Sequence, residues 1–487
     1  MTNTLLSVDR AADEPLYRQV RRALEHGIAV GSLDPEAPLP SSRWLARELG
    51  LSRNTINAAY QELQADGYIE SRPRSGLFVN REMRPRTSSA PRPHPEPARY
   101  DWSARLRPRT DAGLPHIEKQ PGWAELPYPF VAGQVDPGQF PAGPWLRALR
   151  AALSGPHAHA SLRDGVADDD PLLVEMLCRY VLPSRGIEAG PDEVLLTLGS
   201  QHGLYLVAQA LLAPGSVTAV EDPGYLDARH IFVRAGARVR PLPVDGSGVV
   251  PPDDLAGTDL LYLTPSHHHP TNVTLSVGRR RTLLRQVAAG DTIIVEDDYD
   301  SEFRYRGSPS PALKALDDTG RVVYLGTFSK FLAPGLRLGF LVADRALVAE
   351  LRDLRRYMLR HPPGHTQRAM ALFISSGDYR RTVRRHRLHL RRKWETIAAS
   401  ANADFGWPVA APPGGVSLWV TGPPNLDAPA LARTALRHGI ALDRGDVLFC
   451  AADPPRNHFR LGFGAIPHAA IAPGIRLLST LIPGALR

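Results

Sequence analysis

Cysteine occurs only twice in 487 residues, at Cys178 and Cys450. Two thiols so far apart supply neither a disulfide framework nor a metal-ligand spacing, so both are expected to be reduced and partly buried. No apolar run approaches the roughly 20 residues that a membrane-spanning helix needs, and the N-terminus lacks the basic-then-apolar pattern of a secretory signal. The chain is therefore expected to stay in the cytoplasm. Lysine is scarce as well: only Lys119, Lys314, Lys330 and Lys393 occur among 58 lysines and arginines. Where a lysine persists against that preference for arginine, its chemistry invites an explanation that its charge does not give.

The length exceeds one ordinary core, so two or three domains are expected. An apolar content of 43% with 22% charged residues excludes a disordered or fibrous chain. A net charge of +8 and a pI near 9.6 are compatible with a polyanionic partner without establishing one. There is no internal repeat. Composition divides the chain into three regions. Residues 1–80 carry helical patterns. Residues 81–121, with Pro85, Pro91, Pro93, Pro95 and Pro97, read as an extended linker. From residue 122 to 487, short apolar runs alternate with helical patterns. Those runs include 194–197, 217–220, 260–263, 293–295 and 322–325. They predict an α/β fold with a mostly parallel sheet covered on both faces, whose ligands bind at the carboxyl ends of the strands.

In the first region the spacing predicts helices over 16–29, 43–49 and 53–65, the last two capped by Ser41–Ser42 and Ser52 and separated by Gly50-Leu51-Ser52. Two short helices so joined form a helix-turn-helix, and Tyr68 to Val79 adds a hairpin turning near Pro73–Gly76. Leu39-Pro40-Ser41-Ser42-Arg43-Trp44-Leu45-Ala46, Leu51-Ser52-Arg53-Asn54-Thr55 and Ser75-Gly76-Leu77-Phe78-Val79 closely resemble the GntR family of bacterial transcription regulators. The resemblance implies operator DNA as a partner. Arg53, Asn54 and Thr55 are placed to reach base edges and phosphates, Ser42 and Arg43 to hold the backbone, and Arg74 and Gly76 to approach the minor groove. Charge alone does not say this: nine arginines face ten acids in residues 1–80. A three-helix protein-interaction module is the competing reading.

In the third region Lys330 stands in Gly326-Thr327-Phe328-Ser329-Lys330, after an apolar strand, with Arg337 seven residues on. A buried lysine among hydroxyls with an arginine nearby suits pyridoxal phosphate (PLP). The amine bonds the aldehyde, while Thr327, Ser329 and Arg337 hold the phosphate. Gly199-Ser200-Gln201-His202 opens a helix after a strand and offers Ser200, Gln201 and amide groups to the same phosphate. Tyr225, in Pro223-Gly224-Tyr225, can stack on the ring. Asp297, with Asp298 as runner-up, can face the ring nitrogen, and Tyr299 the ring oxygen. Arg460, between apolar neighbours, offers a fork to an effector carboxylate. Taken singly, each of these has an ordinary structural explanation.

In order, they resemble fold-type I aminotransferases. Joined to the N-terminal pattern, they resemble the MocR (GabR-like) subfamily of PLP-dependent regulators. The resemblance implies a smaller C-terminal α/β subdomain, a homodimer, and sensing of an amine or amino acid through an external imine. Two alternatives remain open: an aminotransferase with an appended DNA-binding domain, and a regulator sensing PLP itself. Several segments depart from the family pattern. His267-His268-His269-Pro270-Thr271-Asn272 replaces a single-His turn, and Asn272 is expected in the left-handed conformation. Three successive histidines diverge on an extended segment, so no metal site is expected. Asp168-Asp169-Asp170 stands where a pocket-closing loop is usual, and Asp227 favours a cationic effector group if it points inwards. The arginine-rich stretch from Arg380 to Lys393 reads as a solvated helix face, with an extended DNA track as the alternative.

Overall fold

The computed structural model describes residues 8–10, 12, 14–73, 75–80, 105–106, 109–308 and 310–487. The chain divides into two compact units, Met1–Arg107 and Pro108–Arg487. Arg74 and linker residues 81–104 lie outside the described residues.

The small unit holds α1 (Leu16–Ala29), α2 (Ser42–Glu48), α3 (Arg53–Ala65) and an antiparallel hairpin of β1 (Ile69–Arg72) and β2 (Gly76–Val79). The caps are those the sequence predicts. Ser41 accepts from the Trp44 amide and Ser52 from the Thr55 amide, satisfying donors left open by the first helical turn. Val20, Leu24 and Ile28 of α1 meet Leu45 of α2 and Ile56, Ala59, Tyr60 and Leu63 of α3 in one buried core. The Tyr60 hydroxyl donates to the Pro40 carbonyl at 2.7 Å and so fixes the approach to α2.

The large unit has two sheets. The first comprises β4 (Val194–Thr197), β5 (Val217–Asp222), β6 (Arg238–Asp245), β7 (Gly248–Val249), β8 (Leu260–Leu263), β9 (Ile293–Asp298), β10 (Val322–Thr327) and β11 (Gly339–Val342). Their order is β4-β11-β10-β9-β8-β5-β6-β7. The central strands β10, β9, β8, β5 and β6 run parallel, while β11 is antiparallel to both neighbours. Alternate residues enter different cores: Val295, Val323 and Leu325 pack into one, Ile294 and Val322 into another. Both faces are apolar, which is why the sequence shows continuous runs there and not an alternating pattern. The second sheet, in the order β12-β14-β13-β3, joins β3 (Tyr128–Phe130) to β12 (Ser417–Thr421), β13 (Ile440–Arg444) and β14 (His458–Gly462).

Three strand ends and the end of the linker differ from the sequence reading. The strands expected at 217–220, 293–295 and 322–325 continue to Asp222, Asp298 and Thr327. Their polar ends stay in the ladder because neighbours pair with them, Asp297 opposite Leu325 and Asp298 opposite Gly326. Residues 109–121, expected within the linker, pack on the large unit instead. Asp111 is buried beside Arg109 and His230, and Thr110 donates to the Val233 carbonyl. No helix among the described residues is long and apolar enough to cross a membrane.

Candidate functional site

At the carboxyl ends of the central strands lies a cavity of about 450 Å³. It is lined by Ser200 and Gln201 after β4, Tyr225 and Asp227 after β5, Asp297 and Tyr299 from β9 and just beyond, and Thr327, Ser329, Lys330 and Arg337 after β10. Arg460 enters from β14 of the second sheet. Every side chain the sequence nominated for cofactor or effector therefore reaches one space. Glycines open it. Gly199 caps the helix Ser200–Leu211 at φ 102°, where a side chain is strained, and a Cβ there would meet the Arg337 guanidinium at 3.5 Å. Gly133, at φ 75°, leaves its Cβ position 3.1 Å from Lys330 Nζ. Arg337 itself takes the left-handed conformation at φ 47°.

Strand alternation separates the acids of β9. Glu296 accepts from the amides of Leu313 and Lys314 at 2.8 and 2.9 Å. Asp298 accepts from Arg185 Nε at 2.7 Å and from the Tyr324 hydroxyl at 2.8 Å. Both thus serve the side of the sheet away from the cavity, whereas Asp297 faces the cavity. One Asp297 oxygen accepts from Tyr262 at 2.8 Å, and its other, Oδ1, is buried with no hydrogen-bond partner among the described residues. Burial pushes this carboxyl up to about 6, against the Tyr262 hydrogen bond and the Lys330 charge. Lys330 moves the opposite way, to about 8, because burial and the Arg460 and Lys119 charges disfavour a further cation.

The cavity meets the requirements of PLP at each end. Lys330 Nζ and the Arg337 guanidinium have no hydrogen-bond or ion-pair partner among the described residues, and the buried Ser329 hydroxyl is likewise open. An unpaired carboxylate oxygen, an available amine, and a guanidinium beside a helix N-terminus match the ring nitrogen, aldehyde and phosphate of that molecule. Arg460 has no carboxylate within ion-pair distance among the described residues. It donates to Ser417 Oγ at 2.7 Å and to His269 Nε2 at 2.8 Å. Burial and the Arg460 charge hold His269 well below its ordinary value, and because Nε2 accepts from Arg460 its proton sits on Nδ1, which has no hydrogen-bond partner among the described residues.

Other expectations come out differently. The Tyr299 hydroxyl gives its proton to the His267 carbonyl at 3.0 Å, so donation to a ring oxygen requires that bond to be released. Tyr225 donates to Asp227 at 3.2 Å and meets His269 edge-on. The three histidines do diverge: His267 binds Asp300, His268 binds Thr271, and His269 binds Arg460. Asn272 adopts φ 59° under Gly415, as expected. Asp169 forms a buried pair with Arg352 and Arg355, and Asp170 caps a helix and holds Arg368. Those acids anchor structure away from the cavity. Sequence reasoning missed Tyr262, His269, Asp443 and Lys119 as lining residues. Lys119 carried a signal as one of four lysines, and His269 as the last of three successive histidines.

In the small unit, Arg43, Arg53, Asn54 and Gly76 are exposed, and Ser42 and Thr55 half-buried. Arg53 Nε donates to Ser42 Oγ at 3.4 Å, which brings the starts of α2 and α3 together. The Thr55 hydroxyl shares a hydrogen bond with Ser52, so part of its polar capacity serves the cap. Trp44, next to Arg43 on α2, is exposed as well.

Comparison with known proteins agrees with both halves. Residues 16–79 match the family model of bacterial regulatory proteins of the gntR family, and residues 145–476 match that of aminotransferase class I and II. The HTH-type transcriptional regulator TauR of Rhodobacter capsulatus is 42% identical, covering 94% of this chain and 95% of its own. The probable rhizopine catabolism regulatory protein MocR of Rhizobium meliloti is 32% identical over 97% of this chain and 95% of its own. Among solved structures, the α-aminoadipate aminotransferase LysN of Thermus thermophilus, complexed with N-(5'-phosphopyridoxyl)-L-leucine, superposes with a TM-score of 0.70 at 27% identity, over 79% of this chain and 99% of that one. This chain therefore belongs to the MocR (GabR-like) subfamily of GntR-type transcriptional regulators, with a helix-turn-helix unit for DNA and a PLP-dependent, aminotransferase-like domain of fold type I.

Proposed function

We propose that the protein is a cytoplasmic, homodimeric regulator whose PLP site senses an amine or amino acid and thereby alters its hold on operator DNA. The observation that carries this reading is the open amine of Lys330, facing the same cavity as the unpaired Asp297 Oδ1 and the carboxylate-free Arg460. When bound, PLP supplies an aldehyde reactive toward amines and a visible chromophore that reports the reaction. Lys330 anchors it. Asp297 would hold the proton of the ring nitrogen, Tyr225 would pack on the ring, and Tyr299 would serve the ring oxygen once released from the His267 carbonyl. Ser200, Gln201, Thr327, Ser329 and Arg337 receive the phosphate, and Arg460 the acid of the effector. On the DNA, Arg53, Asn54 and Thr55 read bases and phosphates, Ser42 and Arg43 hold the backbone, and Gly76 approaches the minor groove.

The test uses the full chain loaded with PLP. Lys330→Ala is expected to lose the visible band of lysine-bound PLP and the borohydride-fixed adduct at position 330. An unchanged band in that variant defeats the assignment. Added amine is expected to shift the wild-type band without accumulation of a keto product. Sustained keto-acid release identifies an aminotransferase instead, and DNA affinity that follows PLP while ignoring amines identifies a PLP sensor.

A further inference from the structure

Residues 109–122 bring the chain into the large unit along one side of the cavity. They are tied to the helix Leu226–Arg234, which begins directly after the pocket residue Tyr225. Asp111 binds His230 Nδ1 at 2.9 Å, the Pro115 carbonyl meets His230 Nε2 at 2.7 Å, and the His116 ring stacks on His230 at 4.7 Å. Beyond these anchors Ile117 and Lys119 line the cavity, and the chain continues through β3 to Gly133 beside Lys330. Lys119 is exposed, and its ammonium has no hydrogen bond or ion pair among the described residues.

The cavity's charges show what that ammonium is free to do. Five cations line it: Lys119, Lys330, Arg337, Arg444 and Arg460. On the reading above, Lys330 and Arg337 serve the cofactor, and Arg444 is already bonded to Asp446 at 2.7 Å. Arg460 and Lys119 remain. They belong to the same end of the cavity: Asp443, which feels both charges, stands opposite Arg460 in the β13–β14 register. Arg337 lies at the other end, beside Gly199. A second cation at the Arg460 end is surplus to the cofactor and suits a ligand anion.

We propose that Lys119 is an effector-binding residue: with Arg460 it receives the anionic end of an acid-bearing amine, drawing residues 109–122 onto the occupied cavity. This rests on the proposed PLP–amine reading of the site. In sequence, residues 109–122 are the start of the large unit, the part of it that follows the DNA-binding unit along the chain.

The test compares PLP-loaded wild type, Lys119→Gln and Lys119→Arg by titrating the visible band with short straight-chain ω-amino acids and with alkylamines of matching length. The substituted side chain is exposed, so folding is expected to be unaffected. Lys119→Gln is expected to weaken the ω-amino acids roughly five-fold relative to the alkylamines, as for a solvent-accessible ion pair, with Lys119→Arg restoring the loss. Hydrogen exchange in residues 109–122 should slow on adding an ω-amino acid to wild type, and should not in Lys119→Gln. Unaltered affinity in Lys119→Gln, an equal loss for alkylamines, or wild type that responds to no ω-amino acid each overturns the proposal while the PLP band stands. If wild type never develops the band, the site reading and this inference fail together.

Discussion

The depressed Lys330 amine gives the sharpest quantitative expectation. An ordinary lysine titrates near 10.5, whereas burial, Arg460 and Lys119 bring Lys330 to about 8. At pH 7 the unprotonated, nucleophilic fraction rises from about 0.03% to about 10%, a gain of roughly 300-fold in reactive amine. The perturbation is Arg460→Gln, which removes the largest neighbouring charge. Because Arg460 disfavours the protonated amine, its loss must move the Lys330 midpoint upward, by about one pH unit if the pair interacts with on the order of 1.4 kcal/mol. With four lysines in the chain, the measurement is direct. Reductive methylation with a ¹³C label gives a few resolvable signals, and a Lys330→Arg chain identifies the one that matters. Lys393 also titrates near 8 because of burial. It is fully buried and donates to the Gly464 carbonyl, so it should react slowly and ignore Arg460→Gln. A Lys330 midpoint above 10, or one that Arg460→Gln leaves in place, refutes the electrostatic account of this pocket.

Three further expectations follow from the same structure. Buried Glu221 accepts both the amide and hydroxyl of Thr264 and is pushed up to about 8 from an ordinary 4.5, so folding increasingly disfavours its ionised form as pH rises between those values. Urea melts from pH 5 to 8 should show wild type losing stability at up to about 1.4 kcal/mol per pH unit relative to Glu221→Gln, and parallel curves contradict this. Asp169→Asn leaves Arg352 and Arg355 without their shared carboxylate, and should cost about 3–5 kcal/mol in the large unit's unfolding transition. Arg53→Ala should weaken operator binding and, if the side chain meets a phosphate, reduce the slope of log affinity against log salt by about 1 in fluorescence anisotropy.

Local rules sufficed where local forces decide. The helices of the small unit were legible because Ser41 and Ser52 cap them and their apolar spacing has one buried face. The parallel strands were legible because both faces of the sheet are covered, which leaves unbroken apolar runs. Chemistry at their ends showed through residue type: a rare lysine among hydroxyls, acids at a strand end, and an arginine in an apolar strand. The sequence ranks Asp297 ahead of Asp298 without a physical ground; that ground, an alternation that turns Asp298 to Arg185, depends on a residue 113 positions away.

What the sequence determined by itself was the inventory: a DNA-reading unit, an α/β body, and the reactive groups that collect in one cavity. Tertiary structure decided their neighbours. It brought Arg460 across from a second sheet onto His269, gave the Tyr299 proton to a carbonyl, and carried residues 109–121 out of the expected linker onto the large unit beside the cavity. Spacing along a chain encodes which face of an element a residue occupies. Which charge lies across a cavity from it depends on contacts hundreds of residues apart, and only the folded chain holds that information.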